Sequence, residues 1–324
     1  MVPTPSSLYP GSGIRCPMVQ GARVVVTGGA GFIGGHLVER LAVTNDVVVL
    51  DRVSASTAPR WAARDRVTYV EGDIRKMADL ELAFRDAAYV FHLAALISPA
   101  ESFAHPEAFN DVNTHGTLAV LRAAKVAKVR RVVFSSSCAV YGGGTPPLRE
   151  DAPLDLLSPY AVTKAAGELW CRHYHEIGLE TVVLRLFNVY GPRQSAEGPY
   201  GAVIPKFLRA IAAKETPAIF GDGEQTRDFV YAGDVAGAFE RAATAEGASG
   251  HVFNVGSGEP VSVNRLLAVM NDLFGSHAKP EYREARPGDI RASYADTAKA
   301  ERLLGFRPKV SLAQGLLAAA ESLA

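Results

Sequence analysis

Cysteine is scarce. The three in 324 residues, Cys16, Cys138 and Cys171, are odd in number and far apart, so they suit neither a disulfide framework nor a metal-ligand spacing. Reduced thiols in the cytoplasm and no bound metal are expected. Long apolar runs are also missing, since none reaches the ~18 residues needed to span a membrane. Neither charge sign is in excess, with 34 Lys and Arg against 34 Asp and Glu. That balance gives no electrostatic reason to expect a nucleic-acid or anionic-membrane partner, and any bound anion must be met by a few placed groups. The first 17 residues are rich in Pro, Ser and Gly and lack the apolar stretch of a signal peptide. Residues 1–20 therefore read as a flexible lead-in, with Met18 an alternative start.

What is present is a chain 48% hydrophobic, enough for a substantial core. RVVVT (23–27), DVVVLD (46–51), VTYVE (67–71), YVFHL (89–93), RVVFS (131–135) and TVVLRL (181–186) read as strands buried on both faces. Amphipathic helical segments near 32–43, 77–86, 107–127 and 159–177 lie between them. Such alternation predicts a doubly wound parallel sheet covered on both sides. After Leu186 the rhythm breaks, and HVFNV (251–255) returns one more strand to the sheet. The expected organisation is a dinucleotide-binding core over 21–187 plus about 229–255. A smaller, largely C-terminal substrate-binding lobe takes 188–228 and 256–324, and the ligand crevice lies between the two.

The stretch TGGAGFIGGHL (27–37) follows the first strand and opens a helix. Glycine is needed where backbone turns tightly, approaches a pyrophosphate, and lets helix pack on strand. Gly28, Gly31 and Gly34 supply that spacing, and the helix N-terminus offers free N–H groups to phosphates. Asp51 ends the second strand, where an acid accepts hydrogen bonds from ribose hydroxyls and repels a 2′-phosphate. The sheet is thus of the Rossmann type, and NAD is favoured over NADP. Arg52 next door could blur that preference.

SPYAVTKAAGELW (158–170) carries a phenol and an ammonium one helical turn apart, Tyr160 and Lys164. Ser158 suits an N-cap and Pro159 the first helical position. Using a phenol as a base near neutrality requires about 4 kcal/mol of help. A lysine ammonium ~6 Å away contributes roughly 2.8 kcal/mol at an effective dielectric of ~20. A second cation is wanted, and an oxidised nicotinamide would supply it. The bland alternative is a solvated helix face with Lys164 paired weakly to Glu168. Serines 135–137 end the fifth strand, where a hydroxyl could hold the oxygen that Tyr160 deprotonates.

With these motifs stand D-I at 73–74, H-L-A-A at 92–95, F-S-S-S-x-x-V-Y-G, F-N-V-Y-G-P-R (187–193), G-D-G-x-Q-x-R-D-F (221–229) and R-P-G-D (286–289). In that order they resemble the extended short-chain dehydrogenases/reductases of the nucleotide-sugar epimerase/dehydratase group, most closely the UDP-sugar 4-epimerases. The resemblance runs from about Ala22 to the C-terminus. It implies NAD bound by Gly28, Gly31, Phe32, Ile33, Gly34, Asp51, Asp73, Ile74, Leu93, Ala94, Ala95, Lys164 and Phe187. It makes Tyr160 the base, Lys164 its neighbour that lowers the pKa, and Ser137 the partner at the sugar O4. Asn188, Val203 and Phe220 would contact the sugar nucleotide, and Arg227 and Arg286 its diphosphate. Without the family, those two arginines read as ion pairs with Asp228 and Asp289, and His92 as core. A homodimer through helices 107–127 and 159–177 is implied likewise.

Departures from relatives narrow the expectation. The 4,6-dehydratases resembled here carry an acid pair after the hydroxyl residue; this chain has Cys138 and Ala139, which serve poorly for that proton transfer. Uronic-acid 4-epimerases show Thr and Arg where this chain has Asn188 and Ser195. Ser293 matches the position that gates the sugar 2-substituent, and a small side chain leaves space for an N-acetyl group. A 4-epimerase of UDP-GlcNAc/GalNAc and/or UDP-glucose/galactose is therefore expected. A dehydratase, a net dehydrogenase/reductase, or a non-catalytic NAD-sensing scaffold are the alternatives.

Overall fold

A computed structural model of the chain describes residues 18–59, 62, 64–196, 202–285 and 289–322. In chain order come β1 (Arg23–Thr27), α1 (Phe32–Leu41), β2 (Asp46–Asp51), β3 (Val67–Glu71), α2 (Met77–Ala83), β4 (Tyr89–His92), α3 (Pro99–Ala104), α4 (Pro106–Phe109), α5 (Gly116–Val126), β5 (Arg131–Ser137), α6 (Pro159–Glu176) and β6 (Glu180–Leu186). β7 (Asn188–Tyr190), α7 (Val203–Ala213), β8 (Ala218–Phe220), β9 (Thr226–Tyr231), α8 (Ala232–Thr244) and β10 (Val252–Val255) follow. The remainder is β11 (Pro260–Ser262), α9 (Val263–Phe274), β12 (Glu281–Arg283), β13 (Ala292–Ser293), α10 (Ala298–Leu304) and α11 (Leu312–Glu321).

Seven strands form one sheet in the order β10-β6-β5-β4-β1-β2-β3, and every neighbouring pair is parallel. Alternation within the valine runs divides them between two apolar layers. Val24 and Val26 pack with Leu37, Val38 and Phe239 on one face, whereas Val25 packs with Leu80, Leu121 and Cys171 on the other. Each such side chain contributes roughly 1.5–3 kcal/mol on burial. The chain steps outward in opposite directions from β1 and β4. Their carboxyl ends therefore flank a topological switch point, where ligands of such sheets bind.

Two expectations need correction. β3 is only partly buried, because it is the sheet edge and no strand among the described residues pairs beyond it. The segment 107–127 is not one regular helix, for a π-helical turn over Asn110–His115 separates α4 from α5. The wider turn brings the buried Asn113 inward, where its amide bonds both the N–H and the carbonyl of Leu96. Such single turns commonly mark functional sites.

A second, smaller sheet places β9 between β11 and β13, with β7 also on β9, and β12 pairs β8. α7, α9 and α11 close a separate apolar cluster around Phe207, Leu266, Met270 and Leu316. β9 spans the boundary expected at 228/229 and lies wholly in the small sheet, whereas β10 returns beside β6 in the large one.

Candidate functional site

The glycine loop is held by contacts that exclude larger residues. Gly28 has φ +72°, and a Cβ there would lie 2.6 Å from the Ala94 nitrogen. A Cβ on Gly34 would lie 2.2 Å from the Gly28 carbonyl oxygen. α1 starts at Gly31 with no side-chain cap and no acid in its first turn, so its first N–H groups are open to an anion. Asp51 holds the loop in place: Oδ2 accepts from the Ala30 N–H at 2.9 Å and Oδ1 from the Val53 N–H at 3.1 Å. This cradle fits a dinucleotide pyrophosphate with a ribose at the acid.

One cleft of about 670 Å³ opens over the switch point. Every residue expected on the cofactor side lines it, from Gly28 to Phe187, and so do Ser137, Tyr160, Lys164 and Asn188. At one end the Arg75 guanidinium bonds the Asp73 and Asp111 carboxylates, and it holds the Asp73 carboxyl below its ordinary range. Arg75, Leu96 and Gln194 also line the cleft, although sequence reasoning gave them no role. Gln194 donates to the Val189 carbonyl at 3.0 Å, while its buried Oε1 has no partner among the described residues. The signal for it was the Q that follows F-N-V-Y-G-P-R.

Tyr160 and Lys164 owe their positions to α6. The Ser158 hydroxyl accepts from the Ala161 N–H at 3.1 Å and Pro159 occupies the first turn, as the sequence predicts. Gly167 lets the helix lie directly on Phe134, for a Cβ there would be 2.5 Å from the ring. Lys164 donates to the Ser135 carbonyl at 2.9 Å, with its ammonium 5.8 Å from the Tyr160 ring centre. The helix face carrying both is buried, which removes the solvated-face alternative. Glu168 is engaged by Arg185 and Ser136.

The phenol's depression, expected only beside an oxidised nicotinamide, is not produced by the protein alone. Burial pushes Tyr160 up to about 12, a hydrogen bond with Ser137 opposes the rise, and Cys138 adds to it. Burial lowers Lys164 to about 8, against the pull of the Glu168 carboxylate. Desolvation penalises whichever form is charged, and one distant ammonium does not offset it. A further cation at the phenol is required before Tyr160 can serve as a base near neutrality.

His92 is core, but in an ordered chain. Thr117 gives its hydroxyl proton to the Asn113 carbonyl at 2.5 Å, so it accepts from His92 Nε2 at 3.0 Å. His92 Nδ1 then accepts from the Thr27 hydroxyl at 2.7 Å, and Thr27 from the Ala94 N–H. Burial pushes the imidazole down to about 3 and keeps it neutral. The chain ties the cofactor bed to the π-helical turn.

On the sugar side the picture differs. Val203, Phe220, Arg227 and Ser293 do not line the cleft, and Arg286 lies outside the described residues. Ser293 is buried opposite Arg227 in the β9–β13 register, and its hydroxyl bonds the Cys138 thiol. Burial first, then Asp228, pushes that thiol up to about 11, so it stays neutral. Arg227 pairs with Asp289 and donates to the Ile290 carbonyl at 2.6 Å. Asp228 makes no such pair. Fully buried, it accepts from the N–H groups of Ser257, Gly258 and Ala295. Among the described residues no cluster of three or more His, Cys, Asp or Glu could hold a metal ion.

A parallel sheet with a glycine-cradled crevice and a Tyr–Lys pair at the strand ends defines a nicotinamide-dependent short-chain enzyme. Residues 24–256 match the NAD dependent epimerase/dehydratase family, and the chain belongs to it. It is 41% identical over 305 residues to the UDP-glucose 4-epimerase of Mycolicibacterium smegmatis, covering 91% of this chain and 96% of that one. Among solved structures, UDP-N-acetylglucosamine 4-epimerase from Methanobrevibacter ruminantium, in complex with UDP-N-acetylmuramic acid, superposes with a TM-score of 0.90 at 39% identity. The match covers 94% of this chain and 99% of that one. The Thermotoga maritima UDP-glucose 4-epimerase with UDP-glucose gives 0.87 at 35%, covering 93% and 98%.

Proposed function

We propose that this chain is an NAD-dependent isomerase that inverts C4 of a UDP-linked hexose, with UDP-GlcNAc/GalNAc and UDP-glucose/galactose as candidate pairs. One observation carries the reading: a single cleft joins the glycine cradle to Ser137, Tyr160 and Lys164. NAD, when bound, accepts and returns the hydride and provides the cation that the buried phenol needs. Tyr160 takes the proton of the C4 hydroxyl, Ser137 holds O4, and Lys164 keeps a positive charge beside the phenolate. The 4-keto sugar would turn about its diphosphate linkage, held by Arg227 and Arg286, and present its other face to the cofactor. Tyr160 then gives the proton back, so nothing is consumed. Residues 21–187 and about 229–255 hold the cofactor; 188–228 and 256–324 hold the sugar nucleotide, with Asn188, Val203 and Phe220 in contact.

The small, buried Ser293 supports acceptance of a 2-acetamido group. A homodimer through α5 and α6 is supported by the exposed Val126, Val162 and Leu169, with Phe103 and Leu157 beside them. The chain's place is the cytoplasm, where NAD and nucleotide sugars are found and the free Cys138 and Cys171 stay reduced.

The test is product NMR from UDP-GlcNAc and UDP-glucose with continuous monitoring of nicotinamide absorbance. Epimer formation without net NADH is expected; stoichiometric NADH would favour a dehydrogenase. Tyr160→Phe should cost roughly a thousandfold or more in kcat. Ser293→Tyr should abolish UDP-GlcNAc turnover and spare UDP-glucose. Equal loss of both substrates would end the gating role.

A further inference from the structure

Tyr160, Lys164 and Glu168 follow one another at four-residue intervals on the buried face of α6. Only the first two have roles in the proposed chemistry. β5 meets this row with consecutive residues. The Ser135 carbonyl accepts from Lys164 at 2.9 Å, and the Ser136 hydroxyl donates to Glu168 Oε1 at 2.5 Å. Arg185 stands opposite Ser136 in the β5–β6 register. It grips Glu168 with two bonds, Nε to Oε1 at 2.9 Å and Nη2 to Oε2 at 2.7 Å. The guanidinium is fixed in turn by the Tyr141 ring, 4.7 Å from its carbon, and by the Glu150 carbonyl at 3.2 Å. Both members of the ion pair are nearly inaccessible to solvent.

Stability alone does not account for such a pair, since buried ion pairs are commonly neutral or costly against apolar replacements. Its placement suggests another use. Lys164 is buried, and the partner it touches is a neutral carbonyl. A buried ammonium without a nearby anion loses its proton. The groups that face it are Tyr160, Glu168 and Cys171 on its own helix and His92 on β4. Burial keeps Cys171, His92 and, before catalysis, Tyr160 uncharged, so among the described residues the Glu168 carboxylate is the anion that faces it. Three hydrogen bonds, two of them from the Arg185 guanidinium, are donated to its carboxylate oxygens.

We propose that Glu168, clamped by Arg185 and Ser136, is a positioning residue that keeps Lys164 protonated and so preserves the cation beside Tyr160. The role deepens the epimerase reading and rests on it for its consequence, but the charge state of Lys164 is measurable without turnover.

The experiment is NMR titration of Lys164 in the NAD-loaded full-length protein carrying 13Cε-lysine, assigned with Lys164→Arg. Glu168→Gln should lower the Lys164 pKa by about one unit or more, because the carboxylate is lost and the guanidinium is left uncompensated. Glu168→Gln/Arg185→Met removes that orphaned charge and guards against misfolding; it should restore the melting temperature and give an intermediate pKa. The alkaline limb of kcat should move down in the same order, with KM little changed. A Lys164 pKa within about 0.3 of wild type in a folded double variant would overturn the proposal. Should no substrate turn over at all, the function falls while the titration still decides the role of Glu168.

Discussion

The two ends of the ligand crevice are built differently. At the cofactor end, polar groups are held by backbone: Asp51 by the Ala30 and Val53 N–H groups of the loops beside it, Lys164 by the Ser135 carbonyl of β5. At the proposed sugar end, Arg227, which does not line the cleft itself, is held by the Asp289 side chain as well as by the Thr226 and Ile290 carbonyls. It comes from the small sheet rather than the large one. A backbone-held group is ready for its ligand. If Arg227 takes the diphosphate as proposed, it must exchange its carboxylate for the incoming anion, and binding there is a competition between anions.

The sharpest way to break this contrast is Lys164→Met. A preorganised but desolvated ammonium is a functional liability to the fold. Its folded pKa of about 8 lies below the ordinary 10.5, so the unfolded chain binds the proton more tightly. The cost is therefore full below pH 8 and fades as pH rises from there towards 10.5. Methionine removes that cost of roughly 3 kcal/mol and forfeits about 1 kcal/mol from the Ser135 hydrogen bond. The variant should melt several degrees higher at pH 7, converge on wild type near pH 10, and lose roughly a hundredfold or more in kcat. Calorimetry over that pH range checks it. A less stable variant at pH 7 would show that the ammonium is not under strain.

How much of this was legible beforehand follows the same division. The cofactor end could be read because its signals are local. The Gly28–Gly34 spacing, the strand end at Asp51 and the Ser158–Pro159 helix start each constrain a few consecutive residues. β1, β2 and β3 fall on the expected residues, since Val-rich runs admit one register. The sugar end draws on Asn188, Arg227 and Ser293, far apart in sequence and brought together by sheet pairing that no periodicity announces. The edge exposure of β3 and the π-helical turn were hidden for the same reason. Both depend on which neighbour a strand or side chain finds. The size of the burial that raises Tyr160 was hidden too, because spacing reveals an ammonium nearby but not the desolvation that opposes it.

Gly34→Ala tests the rigid end at smaller amplitude. Its Cβ would stand 2.2 Å from the Gly28 oxygen, with backbone on both sides, so the loop must shift. An increase of about tenfold or more in the NAD dissociation constant is expected, with roughly 1–3 kcal/mol of stability lost. Titration calorimetry and melting would measure both. Unchanged affinity would mean that the cradle adapts as readily as the arginine end.

The gentlest probe is Asp289→Asn at the exchanging end. Asparagine keeps the shape and a carbonyl acceptor but removes the charge that Arg227 must give up. If Arg227 closes on the diphosphate, KM for the UDP-sugar should fall by about two- to fivefold, since a partly exposed pair is worth on the order of 1 kcal/mol or less. kcat should hold, because uniform binding changes KM alone, and the advantage should shrink in high salt. Arg227→Met in the same assay should raise KM instead. A rise in KM for Asp289→Asn would reverse the interpretation: the carboxylate would then be preparing the arginine rather than competing for it, and the two ends of the crevice would be equally preorganised.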